Sequence, residues 1–388
     1  MPTRDRALEL DAADPLARWR GEFLTPDPDL VYLDGNSLGM TPRRTVDAVR
    51  HVMEAQWAGD LISSWWKHEW LDLPLTVGDE LAPLIGARSG EVVVNESTTV
   101  CLFQLVNVAL DLVERAPGGE VVIAVDDHEF PTDRYVVDGI ARLRSGVVVR
   151  SGVDDLDGVD VVVRSLVDYR TAELRDITAE TARARAAGAT VVWDFSHAVG
   201  VVPVDVEAAG VELAAGCTYK FLNGGPGAPA FSYVRTDLHD RLTQPIQGWF
   251  GQRDQFAMDE PFAARPGIAA MMNGTPSVLS LTAARCGIAI TNEAGIDAIS
   301  AKAAALAHHA LDLAQEFELT ASTMRPPASS GGHVSIRHAE AAAVQQQLLR
   351  RGVVVDKRDP DVLRLGLSPL TTRFVDVHDA LTAVRDLS

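Results

Sequence analysis

From about residue 90, short β-branched runs alternate with stretches in which apolar residues recur every three or four positions. The runs are Glu91–Val94, Val121–Val125, Val147–Val149, Val159–Leu166 and Val191–Trp193; helical patterns over Val100–Glu114, Asp133–Leu143 and Ala179–Ala187 fall between several of them. Runs that are apolar throughout, rather than alternating, suit a sheet buried on both faces. The pattern therefore predicts an α/β fold, a mostly parallel sheet flanked by helices. Upstream, a helix and the stretch Thr25-Pro26-Asp27-Pro28-Asp29 precede a short strand, Val31–Leu33. Thr41-Pro42 then opens a helix with proline in its first turn, and Val46, Val49, Met53 and Trp57 form one apolar stripe along it.

Near residue 290 the texture changes. An alanine-rich helix over Ile299–Phe317 leads into a loop, Pro326–Gly332. Strand, helix and strand patterns follow at His333–Ile336, Ala339–Arg351 and Val362–Leu367. These patterns divide the chain into an N-terminal segment (1–40) packing on the small domain, a large domain (41–290) and a smaller C-terminal α+β domain (291–388). A net charge of -19 argues against nucleic acid or an anionic membrane as partner, because phosphates would be repelled. The N-terminus lacks a secretory apolar core and no apolar run approaches a membrane span. Cys101, Cys217 and Cys286 are odd in number and widely spaced, which fits neither a disulfide framework nor a metal site. They read as small core residues in a protein of the cytoplasm.

The densest chemical signal is Trp193-Asp194-Phe195-Ser196-His197, followed by Thr218-Tyr219-Lys220-Phe221-Leu222-Asn223-Gly224-Gly225. Taken singly, Asp194 reads as a turn cap and Lys220 as a solvated loop lysine. Together, an acid at a rigid strand end and a lysine before a glycine-rich turn are what pyridoxal 5'-phosphate requires. The acid keeps the pyridine nitrogen protonated and the lysine forms the imine. Ser97 and Thr98 open the apolar helical run that follows Glu91–Val94. Hydroxyls at a helix N-terminus make an anion site without a basic patch, although plain N-capping explains the same residues. Gly35-Asn36-Ser37-Leu38-Gly39 has the spacing of a serine-hydrolase elbow, but no sheet precedes it to supply the oxyanion hole. A glycine-rich turn near cofactor or substrate fits it better.

At these residues the chain resembles the kynureninases, fold-type I pyridoxal-phosphate enzymes in the branch that also holds the cysteine desulfurases. Further blocks agree in order: Tyr32–Gly39, Phe130-Pro131-Thr132-Asp133, Gly248-Trp249-Phe250-Gly251, Gly274-Thr275-Pro276 and Leu363-Arg364-Leu365-Gly366. The resemblance implies a seven-stranded sheet and a homodimer with its active site at the subunit interface. It implies hydrolysis of L-kynurenine, or a ring-substituted analogue, to an anthranilate and L-alanine, within tryptophan breakdown or a biosynthetic branch such as that to NAD. By the same resemblance Lys220 carries the cofactor and moves protons, Asp194 faces the pyridine nitrogen, His197 lies near the ring hydroxyl and Phe130 stacks on the ring. Ser97, Thr98 and Tyr219 hold the phosphate, joined by Trp249 and Thr275 from the neighbouring subunit. Thr132, Asp133 and Ser165 match further cofactor contacts, and Tyr219 is the favoured proton donor or acceptor. Arg364 grips the substrate α-carboxylate, Asn36 lies in the substrate turn, and Trp65 and Phe256 line the side-chain pocket. For any single aromatic, ordinary core packing is the commoner explanation.

Three blocks depart from the family pattern. Gln252 stands where histidine is usual, Met271-Met272-Asn273 precedes Gly274, and Asp168-Tyr169-Arg170-Thr171-Ala172 replaces Asn-Tyr-x-Thr-Gly. The first two are expected near the aromatic end of the substrate or the subunit contact. Rival readings are a cysteine desulfurase or an aminotransferase, and a catalytically silent binding protein that keeps the fold. The loop Pro326–Gly332 contains no nucleophilic cysteine, and Lys220, Asp194 and Arg364 are all retained.

Overall fold

The computed structural model describes residues 3–25, 27–114, 119–258, 261–323 and 331–387. Its strands, in chain order, are β1 (Val31–Leu33), β2 (Val92–Val94), β3 (Val121–Val125), β4 (Val147–Ser151), β5 (Val161–Ser165) and β6 (Thr190–Asp194). Then come β7 (Leu213–Gly216), β8 (Phe231–Val234), β9 (Thr320–Ala321), β10 (His333–Arg337), β11 (Val353–Arg358) and β12 (Val362–Gly366). Seven of them form one sheet in the order β2-β8-β7-β6-β5-β3-β4. β4, β3, β5, β6 and β7 run parallel, and β8 runs antiparallel to both of its neighbours, β7 and β2. The fold class read from the apolar runs is therefore the one observed.

The valine-rich runs form strands because both faces of this sheet are covered. β5 and β7 are buried at every position. One face packs on the helix Thr98–Leu112, whose Cys101, Leu102, Leu105 and Val106 are buried with Ile123, Val161, Val163, Val192 and Leu213 of the strands. The other face packs Trp193, Phe195 and Phe231 against Val77, Leu81 and Leu281. Two strands of this sheet escaped the sequence reading, as did β9 and β11 of a second sheet. β7 is Leu-Ala-Ala-Gly, which carries no β-branched signal; its small residues admit close neighbours, since a Cβ on Gly216 would stand 2.6 Å from the Phe231 ring. β8 escaped as an isolated four-residue run.

Five strands form the second sheet, β1-β11-β12-β10-β9, antiparallel except where β1 pairs with β11. Residues near the N-terminus thus complete a sheet built otherwise from the last seventy or so positions. The helices Ile296–Glu316 and Phe374–Arg385 cover it, packing on Leu363, Leu365 and Leu367. Most of the loop read at Pro326–Gly332 lies outside the described residues.

One sequence expectation changes. The helix after Pro42 runs from Arg43 to His51, then passes into a π-helical turn, Val52–Trp57. The stripe Val46, Val49, Met53 and Trp57 does not seal against the core: Trp57 is 55% exposed and Met53 46%. The π turn adds a residue to the turn and shifts the phase of everything after it.

Candidate active site

The parallel strands direct their carboxyl ends to one edge of the large sheet, where α/β proteins place their sites. β2 leads to Asn95-Glu96-Ser97, β3 to Glu129 and Phe130, β5 ends at Ser165, β6 ends at Asp194, and β7 leads to Tyr219-Lys220. There they enclose a cavity of about 300 Å³ lined by Ser97, Thr98, Phe130, Thr132, Asp133, Asp194, Tyr219 and Lys220, together with Glu96, Thr99, Ser196 and Ser277.

Lys220 is the one cation lining this cavity among the described residues, and it is buried. Its Nζ lies 3.2 Å from His197 Nε2 and 5.9 Å from the centre of the Phe130 ring. Burial, reinforced by the Lys220 charge, pushes the His197 imidazole well below its ordinary range, so the ring is neutral and accepts from the ammonium. The Lys220 turn is braced from the opposite side of the sequence: the Gly39 N–H donates to the Tyr219 carbonyl at 2.8 Å. That contact places the Gly35–Gly39 turn against the lysine, and Ser37 Oγ instead donates to Asp356 at 3.2 Å. Burial pushes the Tyr219 phenol above its ordinary range, so it remains a proton donor.

Two carboxyls, Asp194 and Asp133, interact electrostatically with Lys220. Asp194 Oδ1 accepts the Ser196 N–H at 2.8 Å. Burial raises the Asp194 pKa, and it raises Asp133 well above the usual carboxylate range, helped by the Asp194 charge. Ser165 Oγ donates to Asp133 at 3.5 Å. Glu129, missed in the sequence, is buried and accepts from the Ser165 N–H at 3.1 Å and the Phe130 N–H at 3.2 Å. It holds both residues in place. Its position just past the end of β3 was the available signal.

The donor set fits pyridoxal phosphate. Ser97 caps the helix Thr98–Leu112, its Oγ accepting the Val100 N–H at 3.4 Å, so capping and a cavity-facing helix N-terminus coexist. The helix N-terminus and the hydroxyls of Ser97, Thr98 and Thr99 could hold an anion there. Glu96 also lines this end, and its Oε1 is engaged by the Asn273 amide at 3.1 Å. Asp194, which lines the same cavity, could supply the carboxylate for a ring N–H. The excess of buried acid suits a cationic pyridinium.

Arg364 lies on β12, fully buried. Its Nε and Nη2 both pair with Asp356, the Nε bond being 2.9 Å, and Nη1 donates to the Tyr169 carbonyl at 2.6 Å. The acids next to it in sequence are engaged elsewhere: Asp361 pairs with Arg337, and Asp359 with Lys357. Asp356 is a second residue the sequence reading missed. Asn36 is also fully buried, and neither end of its amide is hydrogen-bonded.

Eight candidates do not line the cavity: Ser165 and His197 touch its lining residues Asp133 and Lys220, Arg364 and Asn36 lie on and beside β12, and four stand further off. Trp65 and Thr275 line a neighbouring apolar cavity that shares Ser277 with the first. Trp249 and Phe256 are 40% and 50% exposed and pack edge to face with ring centres 6.0 Å apart. Phe256 also packs on Trp66 at 5.9 Å.

Comparison with known proteins decides the family. Residues 299–384 match the model of the kynureninase C-terminal domain. The chain is 39% identical to kynureninase from Pseudomonas fluorescens, covering 100% of this chain and 96% of that protein, and equally so to kynureninase from Burkholderia pseudomallei strain K96243. This chain belongs to the kynureninase family.

Solved structures agree on the fold. A cysteine desulfurase from Thermococcus onnurineus NA1 superposes with a TM-score of 0.82 at 17% identity, covering 96% of this chain and 97% of that one. A C-DES mutant with glycine covalently linked to its PLP cofactor also gives 0.82, at 15% identity, covering 95% and 99%. Against the kynureninase pattern, two departures now have structural settings. Met271 and Met272 are buried in the core beneath the large sheet, away from any exposed contact. Ala172, where kynureninases carry glycine, adopts φ 64°, a left-handed conformation that glycine takes without strain.

Proposed function

We propose that the chain hydrolyses L-kynurenine, or a ring-substituted L-kynurenine, to the corresponding anthranilate and L-alanine, with pyridoxal 5'-phosphate as cofactor. The observation that carries this reading is that Lys220, Asp194 and the Ser97–Thr98 helix N-terminus line one cavity in a chain related to kynureninases along its whole length. When bound, the cofactor supplies an electron-accepting ring that stabilises negative charge on the amino acid's α-carbon.

The chain's own residues then have these parts. Ser97, Thr98 and Tyr219 would hold the phosphate, Asp194 would accept the ring N–H, and Phe130 would cover the ring. Thr132 and Asp133 line the same cavity, and Ser165 holds Asp133. Lys220 Nζ would tether the cofactor and is the base that would take the substrate's α-proton. His197, neutral and 3.2 Å away, receives a hydrogen bond from Nζ and orients it. Tyr219, held protonated, donates at the γ-carbonyl side, where water adds and the Cβ–Cγ bond breaks. Arg364 would bind the α-carboxylate through its guanidinium, with Asn36 beside it; the aryl group would extend toward the adjoining apolar cavity that holds Trp65 and shares Ser277 with the first, with Phe256 as the second aromatic proposed to meet it.

Trp249 and Thr275 reach the phosphate of a second subunit in a homodimer. Support comes from the exposed apolar surface of Trp57, Leu61, Ile62, Trp66 and Met258, which is 55–73% exposed. The proposed divisions are residues 1–40, 41–290 and 291–388, and the proposed location is the cytoplasm; no described helix is long and apolar enough to cross a membrane.

The test is direct. Purified protein incubated with pyridoxal phosphate should show an absorption band that borohydride removes, and kynurenine should release fluorescent anthranilate. Lys220→Ala should abolish turnover. A coloured protein that releases only sulfide from cysteine would support the desulfurase reading, and a colourless one the silent reading.

A further inference from the structure

A histidine that no role above uses lies between the two cations of the site. His333 opens β10 and is fully buried; neither of its ring nitrogens has a well-formed hydrogen bond, and an acceptor directed at it, the Tyr169 carbonyl, already accepts from Arg364. Its ring centre is 5.9 Å from that of His197, the residue bonded to Lys220 Nζ. In the antiparallel register of β10 and β12, His333 sits opposite Gly366 and Ser335 opposite Arg364, so all four share one face of the small sheet. Gly366 leaves that face open, and the space is taken by Asn36: a Cβ on Gly366 would stand 2.9 Å from the Asn36 Cγ. Two buried polar side chains, His333 and Asn36, are therefore left without a well-formed hydrogen bond beside the same arginine.

Unpartnered buried polar groups are rare in folded proteins and call for an explanation. Ser335, on the same face, is satisfied: its Oγ donates to the Arg170 carbonyl. The charges that act most strongly on the His333 ring, after burial, are those of Arg364 and Lys220, and they hold the imidazole neutral. The Tyr169 carbonyl, which already accepts from Arg364, is the group that favours protonation. A neutral ring offers one donor and one acceptor.

The proposed reaction sets a geometric demand here. The substrate's α-carboxylate goes to Arg364 and its α-amine displaces Lys220, so the α-carbon bridges the gap between those two side chains. A donor lying between them meets the substituents of that carbon. We propose that His333 is a substrate-binding residue that donates a hydrogen bond to the α-carboxylate alongside Arg364, with Asn36 beside it. This rests on the kynureninase reading above. It adds a recognition element specific for an α-amino acid over the corresponding amine.

The experiment compares cofactor-loaded wild type, His333→Phe and His333→Gln. Each is assayed with kynurenine, with L-alanine as product inhibitor, and for binding of the amine that lacks the carboxylate, while the cofactor band is followed over pH. In His333→Phe, KM for kynurenine and the inhibition constant for L-alanine should both rise about tenfold or more, the size of a lost hydrogen bond to a charged group. Affinity for the amine and the pH titration of the cofactor band should not change. His333→Gln, which keeps a donor, should recover most of the loss and serves as the readout where the phenylalanine variant does not fold. An unchanged KM, an equal loss for the amine, or a shifted cofactor titration would overturn the proposal; the last would place His333 behind His197 instead. Wild type acts as the separate control: if it binds no cofactor or forms no anthranilate, the function reading fails, whatever the variants do.

Discussion

Gly39→Ala tests how the N-terminal turn supports the lysine. Gly39 is not in a left-handed conformation, so alanine suits its backbone and the effect of the substitution is steric alone. The added Cβ would stand 2.8 Å from the Asn223 Cα and nearer still to the Lys220 carbonyl oxygen, where ordinary contacts are 3.4–4 Å. Both obstacles are backbone, so neither can swing aside, and one turn must retreat from the other by about 1 Å. A displacement of that size at a reacting group costs on the order of 100-fold in rate. Overpacking of this kind also costs about 1–3 kcal/mol in stability. The assay is anthranilate release by the cofactor-loaded protein, read beside a thermal melt. Gly21→Ala is the matched control, because nothing lies within 4 Å of its Cβ position. A Gly39→Ala enzyme with kcat within about threefold of wild type and an unshifted melt would refute the reasoning, since the two turns would then not be in tight contact.

Three further outcomes follow from the same geometry. Asp356→Ala leaves the fully buried Arg364 guanidinium without its carboxylate, and denaturant unfolding should show a loss of about 3–5 kcal/mol; a loss under about 1 kcal/mol would mean the pair is not buried as described. Ala172→Gly relieves a left-handed alanine and should stabilise the protein by ~0.5–1 kcal/mol in the same measurement; a destabilised variant would contradict the φ of 64°. Burial raises the Asp34 pKa to about 6, above its ordinary value, so the folded state favours the protonated acid. Its stabilising contribution is complete below about pH 4 and is lost as pH rises through about 6. Asp34→Asn should therefore gain on wild type by up to about 2 kcal/mol at pH 8 and not at pH 4, measured by urea unfolding at each pH; an equal difference at both would rule out the raised pKa.

Much of this protein is legible along the chain because its large sheet is buried on both faces. β3, read as Val121–Val125, and β1, read as Val31–Leu33, have the observed limits, since valine-rich runs leave little else for those residues to do. Asp194 and Lys220 were legible because strand ends and the turns after them lie at one edge of a parallel sheet, so position along the chain already implies proximity in space. β7, Leu-Ala-Ala-Gly, was not legible, because it is a strand by virtue of its neighbours and not of its side chains. Only the tertiary structure decided the rest: that Glu129 holds Phe130 and Ser165, that Asp356 clamps Arg364, and that the Gly35–Gly39 turn braces a lysine 181 positions away. It also separated Trp65 and Thr275 from the cavity of Lys220. Local pattern records which face of an element is apolar, whereas a hydrogen bond across two sheets depends on register and packing angle, which no local stretch of sequence encodes.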